Sequence, residues 1–131
     1  MNKHIHVAVG VIENTDNTLL LAKRHAHLHQ GDKWEFPGGK VEPGETTSQA
    51  LIRELKEEVD LNVQSTQPMM VIEHDYGDKK VILDIHWVTD FSGTAKGLEG
   101  QTIQWVTKQS LVNFEFPAAN KAIVDKILAN R

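Results

Sequence analysis

The chain has 131 residues, 40% of them hydrophobic, with no cysteine and a formal net charge of -4 from 14 Lys and Arg against 18 Asp and Glu. That length supports one hydrophobic core, hence one domain spanning 1–131, and the lack of cysteine excludes disulfides and thiolate metal sites while fitting a reducing compartment. The acidic balance argues against broad contact with a nucleic-acid backbone, which needs clustered Lys and Arg, so an anionic ligand would need metal ions as a bridge.

Ile5 to Ile12 is rich in β-branched residues and reads as a strand, with His4 and His6 at its exposed edge or near a substrate entrance. The run is too short to cross a bilayer, follows a single lysine and precedes no cleavage pattern, so the expectation is a cytoplasmic protein without membrane contact. Glu13 to Asn17 has turn composition and Thr18 to Arg24 is the hairpin partner. His25 to Lys33 is polar and irregular. Its alternating His25, His27 and His29 lack a carboxylate partner and read as a solvated loop in preference to a zinc site. A short strand, Trp34 to Phe36, leads into a bend carrying Pro37, Gly38, Gly39, Pro43 and Gly44.

Thr46 followed by Gln49 is a capping-box signature that opens a helix running to Val59. Strands are expected at Met69 to Tyr76 and Lys79 to Thr89 around a Gly77-Asp78 turn, then a loop from Gly93 to Gly100 and a strand from Thr102 to Thr107. Ala118 to Ala129 closes the chain as a helix with Ile123, Val124, Ile127 and Leu128 on one side. Trp34, Trp87 and Trp105 are too scattered for a stacking platform and are assigned to the core. The order of elements gives an α/β (α+β) domain, a curved mixed sheet between a central and a C-terminal helix.

At 100° per residue, Glu57 falls about 300° and Glu58 about 40° from Glu54, so three carboxylates share one helical edge. Leu51, Ile52, Leu55 and Val59 are expected against the sheet, with Lys56 and Gln49 toward solvent. Ala50, on the acidic side, would clear space for a ligand. Glutamates on helices are usually just solvated. Here, however, like charges at i+3 and i+4 repel, Arg53 alone is placed to offset them, and a glycine-rich loop runs into the helix. Clustered hard oxygen donors without sulfur select Mg2+ or Mn2+ over zinc.

Gly39, five residues, Glu45, seven residues, then Arg53, Glu54, Leu55, Glu57, Glu58 and Leu61 resembles the Nudix box, matching eight of its nine specified positions. Asp60 stands where the family has glycine, at an expected helix terminus of positive φ that Asp tolerates. Ala8 to Ile12, Trp34 to Lys40 and Phe116 to Asn120 further resemble the MutT branch, whose members hydrolyse 8-oxo-dGTP. The resemblance implies a Nudix fold and a Mg2+-dependent hydrolase that takes a small nucleotide. Water would attack the β-phosphorus and release pyrophosphate. It implies metal coordination by Glu54, Glu57, Glu58, Glu99 and the Gly39 carbonyl, and a catalytic set completed by Arg53, which orients the glutamates, and Lys40, which meets phosphate or promotes the attack. Glu45 is expected to brace the loop. Glu54 is the first choice of general base, with Glu57 and Glu99 as alternatives.

For the base, the resemblance implies Asn120, Arg24, Phe36 and Asp78, with Ile5, Val7 and Val81 as apolar walls, and it places His29 where it would touch the nucleotide. Asn120 could equally be a plain helix N-cap, and Phe36 a core residue. Competing expectations are a relative that hydrolyses a normal or modified pyrimidine triphosphate, and a non-catalytic nucleotide-sensing domain. Binding to nucleic acid is not expected, and the protein is expected to be a monomer.

Overall fold

The computed structural model describes residues 3–23 and 32–129; the expectations for Arg24, His25, His27 and His29 fall outside them. In chain order the elements are β1 (Lys3–Ile12), β2 (Thr18–Lys23), β3 (Trp34–Glu35), β4 (Gly38–Lys40), α1 (Thr47–Val59), β5 (Asn62–Asp75), β6 (Lys79–Ser92), β7 (Ile103–Thr107) and α2 (Lys121–Ala129). Short 3-10 turns occupy Gln109–Asn113 and Ala118–Asn120. The strands divide between a four-stranded mixed sheet, in the order β4-β1-β6-β5, and a three-stranded antiparallel sheet, β3-β2-β7.

β1 lies between β4 and β6 and is parallel to β6, from Lys3 opposite Lys79 to Ile12 opposite Val88. A strand covered on both faces reads as a continuous apolar run, which is why Val7 to Ile12 shows no polar alternation. Alternate β1 side chains enter two cores. Val9 and Val11 join Leu19, Leu21, Ile85, Val106 and the α2 residues Ile123, Val124 and Ile127. Ala8 and Ile12 join Leu20, Val88 and the α1 residues Ala50, Leu51, Leu55 and Val59. The sheet thus carries α1 on one face and α2 on the other.

Two expectations about the α1 face are corrected. Ala50 is fully buried and so clears no space for a ligand; its small side chain belongs to the same cluster as Ala8, where it permits a close helix-to-sheet approach. Ile52 is 39% exposed, on the flank of the apolar stripe and not beneath it. Other differences lie at element ends. Gly38–Lys40 pairs with β1 as a strand where a loop was expected. β5 begins seven residues before Met69, because its polar start, Pro68 and three register shifts hide the alternation. The last helix starts with a 3-10 turn up to Asn120. Among the described residues no helix is long and apolar enough to cross a membrane.

Candidate active site

The glycine-rich bend is held against β1 by main-chain contacts, Gly10 N donating to Pro37 O at 2.8 Å and Val41 N to His6 O at 2.9 Å. Glycine is required twice here. A Cβ on Gly38 would lie 2.0 Å from the Ala8 carbonyl oxygen, and one on Gly39 would lie 2.3 Å from the Glu54 carboxylate carbon. The first absence lets β4 pair with β1; the second lets the backbone press on an α1 side chain.

Helix α1 starts with the expected capping box: Thr46 accepts from Gln49 N at 3.1 Å while the Gln49 side chain accepts from Thr46 N at 2.9 Å. One turn on, Arg53 ties helix to bend. Its guanidinium donates from Nε and Nη2 to the two oxygens of Glu45, each at 2.9 Å, from Nη2 to the Lys40 carbonyl at 3.1 Å, and from Nη1 to Glu54 Oε1 at 2.6 Å. Glu45 also accepts from Glu42 N at 2.9 Å. The Arg53 hydrogen bonds, with that backbone amide, hold the Glu45 carboxyl at about 2. Arg53 thus bonds Glu45 on the bend and Glu54 on the helix at once.

At the far end of α1, Asp60 adopts the left-handed conformation (φ 59°, ψ 37°) expected at the family's glycine, and its carboxylate pairs with Lys56 at 2.9 Å. The segment after β6 wraps this end: Lys96 N donates to Val59 O, and Leu98 N and Gln101 Nε2 both donate to Glu58 O. These bonds satisfy terminal carbonyls and bring Glu99 beside Glu58. Burial pushes the Glu58 carboxyl up to about 9, helped by a hydrogen bond with Glu54 and by the negative charge of Glu54, Glu99 and Glu35. Glu35, on β3, is a member of this acidic group that reading the sequence did not single out. Only the pairing of β3 with β2 brings it there.

The helical edge therefore does not present its three acids equally. Glu54, 18% exposed, and Glu58 meet, whereas Glu57 is 58% exposed and lies 3.8 Å from Arg53 Nη1. Lys40 has an exposed side chain beside the bend. Among the base-binding candidates, Phe36 is 4% exposed and its ring stacks on Phe116 at 5.4 Å. Trp34 N donates to Glu115 O, and Trp34 meets Phe114 edge-on. The segment leading to Asn120 is thus fastened to β3. Asn120 N closes its turn on Pro117 O, while the carboxamide makes no hydrogen bond among the described residues. Asp78 is exposed at the β5–β6 turn. Ile5, opposite Val81, and Val7, opposite Leu83, are half-buried on the α2 side of the sheet.

A profile of the NUDIX domain matches residues 8–126 of this chain. The chain belongs to the Nudix family. The 8-oxo-dGTP diphosphatase of Escherichia coli K12 is 37% identical to it over 95% of the chain and 97% of that protein. The CTP pyrophosphohydrolase of the same organism is also 37% identical, over 98% and 95%. A solved MutT structure, from work on the Aliivibrio salmonicida and Vibrio cholerae proteins, superposes with a TM-score of 0.89 at 39% identity, covering 98% of this chain and all of that one.

This Nudix hydrolase therefore shares a fold that works with a divalent metal. Its own residues suit one. Glu54, Glu58, Glu99 and Glu35 supply hard oxygen donors, and burial beside neighbouring carboxylates raises the Glu58 carboxyl well above its ordinary value. Among the described residues no group of three or more His, Asp or Glu side chains is arranged to hold a metal ion by itself.

Proposed function

We propose that residues 1–131 act as one catalytic domain, a Mg2+-dependent pyrophosphohydrolase, with Mn2+ able to substitute, that acts on 8-oxo-dGTP. Water attack at the β-phosphorus would give the nucleoside monophosphate and pyrophosphate. Hard carboxylate oxygens in a chain without cysteine support Mg2+, which keeps several waters and shares its shell with substrate phosphates. When bound, the cation neutralises phosphate charge, activates a water and aligns the leaving group. Glu58, Glu57, Glu99 and the Gly39 carbonyl would hold it with Glu54, whose carboxylate, aimed by Arg53, is also the first choice to take the water's proton. Lys40 would meet phosphate. The lack of cysteine and the acidic charge support a cytoplasmic protein that leaves nucleic acid alone, and it is taken as a monomer.

The single observation that carries the base assignment is the carboxamide of Asn120, which makes no hydrogen bond among the described residues. Guanine offers acceptors at O6 and N7, but oxidation at C8 turns N7 into a donor. A carboxamide pairs with both groups of the oxidised base and leaves one unpaired with the normal base. Arg24, His29, Phe36 and Asp78, with the apolar surface of Ile5, Val7 and Val81, would complete the base and sugar contacts. Phe36, buried under Phe116, would act mainly by shaping that floor.

A second reading has an observation of its own: the CTP pyrophosphohydrolase is as similar as the 8-oxo-dGTP diphosphatase. Pyrophosphate release from 8-oxo-dGTP, dGTP, CTP and dCTP with Mg2+ separates them. A kcat/KM at least roughly 100-fold higher for 8-oxo-dGTP than for dGTP is expected. Equal rates on those two would sink the proposal, and preference for CTP would select the second reading.

A further inference from the structure

The described residues contain three buried polar side chains, Thr47, Thr66 and His86, and all three belong to one network outside the candidate active site. His86 Nδ1 lies 2.8 Å from Thr66 Oγ1, which is 2.5 Å from Ser48 Oγ. On the other edge of the ring, Nε2 lies 3.4 Å from Asp84 Oδ1. Asp84 Oδ2 accepts from Thr47 Oγ1 at 2.5 Å and faces His6 Nε2 at 3.3 Å. A carboxylate only accepts, so the hydroxyl and imidazole bonded to Asp84 are the donors there. Thr47 and His6 donate to Asp84, which His86 Nε2 also faces, while Thr66 bridges Ser48 and His86 Nδ1. No fully buried side-chain polar atom among the described residues lacks a partner.

The place of the network gives it a purpose. Thr47 and Ser48 are the first two residues of α1, while Thr66 is on β5 and Asp84 and His86 on β6. The apolar stripe of α1 is held by burial, which is non-directional and tolerates small slides and rotations. Hydrogen bonds do not. Arg53 and Glu45 anchor the helix to the bend on one side, and the Asp84-His86-Thr66 network anchors its first turn to the sheet on the other. Metal-binding carboxylates need placement to roughly 0.5 Å.

We propose that Asp84, with His86 and Thr66, is a positioning residue: by gripping Thr47 and Ser48 it sets the register of α1 and hence of Glu54 and Glu58. The inference rests on reading those glutamates as the metal-holding set. Thr47→Val keeps the shape and removes the hydroxyl, Asp84→Asn removes the charge, Ser48→Ala cuts the far end, and Thr47→Ser is the rescue. Calorimetric titration of the full chain with Mn2+ alone, without nucleotide, is expected to show a roughly 10-fold weaker Kd in Thr47→Val and Asp84→Asn. A smaller shift in the same direction is expected in Ser48→Ala, and recovery in Thr47→Ser. In turnover, kcat falls while KM stays within about 2-fold. Ile127→Val, in the opposite core, is the control for general loss of stability and leaves Kd and kcat unchanged. Wild-type Mn2+ affinity in Asp84→Asn and Ser48→Ala, measured where both are folded, overturns the proposal, as does an equal shift in Ile127→Val. If Glu54→Gln and Glu58→Gln also bind Mn2+ normally, the assignment of the glutamates fails as well; if they lose it while the network variants do not, only this inference fails.

Discussion

Gly39 and Glu54 lie so close that a single methyl group on the glycine would fall 2.3 Å from the carboxylate carbon. Gly39→Ala must therefore push Glu54 out of the grip of Arg53, while the strand pairing of Ala8 with Gly39 can persist. We expect turnover to fall roughly 10- to 100-fold, the loss usual when a ligand's support is removed, with the cooperative unfolding transition retained. Steady-state kinetics alongside a thermal melt checks this. Unchanged activity would mean that Glu54 has no fixed place in the reaction.

Glu58 makes the metal-free protein pH-sensitive in a direction opposite to most carboxylates. Its folded value is about 9 against an ordinary 4.5, so between those limits the native state holds a proton that the unfolded chain has lost. The associated stability is fully present below 4.5 and drains away as pH rises toward 9. A divalent cation must displace that proton, so binding tightens as pH rises through the same window. Titration calorimetry at pH 7.5 in buffers of different ionisation enthalpy is expected to show about one proton released per cation bound by this group. Glu58→Gln abolishes the release.

Glu45 behaves in the ordinary sense. Held at about 2 by Arg53, it contributes stability above 4.5 that disappears as pH falls through 2. Glu45→Gln is expected to unfold at lower urea than the wild type at pH 7, with the gap closing between pH 4.5 and 2. Arg53 keeps Glu54 but loses its brace, so kcat drops more than KM rises. A constant gap at all pH values would show that the carboxylate charge is irrelevant to the brace.

Asp60 tests the departure from the family glycine. Asp60→Gly loses the Lys56 pair but relieves the left-handed backbone, two small opposing effects that leave the melting temperature nearly unchanged. Asp60→Ala loses the pair and keeps the strain, and is expected to melt roughly 5 °C lower. Differential scanning calorimetry of the two variants decides the matter, and neither is expected to alter kcat.

Asn120→Ala removes the carboxamide that would distinguish the oxidised base. The ratio of kcat/KM for 8-oxo-dGTP over dGTP is expected to fall at least roughly 10-fold. A preserved ratio would move base recognition elsewhere.

Much of this molecule is set by local chemistry, and so is legible in the chain. Thr46 and Gln49 cap α1 through atoms three residues apart, Asp60 ends it in the conformation its position demands, and Arg53 reaches Glu45 and Glu54 across one loop-helix unit. The spacing of Gly39, Glu45, Arg53, Glu54, Glu57 and Glu58 was enough to identify the family and the acidic helix. What depends on distant segments meeting was not legible. Glu35 and Glu99 approach Glu58 only because β3 pairs with β2 and the loop after β6 caps the end of α1. Ala50 is buried because α1 packs there against Ala8 and its neighbours on the sheet, a contact that a helical wheel does not contain. The bonds from Asp84 and His86 to Thr47 and Thr66 span twenty or more positions and carry no spacing signature. Sequence alone determined what each short segment does with its own backbone; tertiary structure decided which charges share a site, because side chains far apart in the chain interact only once the sheets have closed.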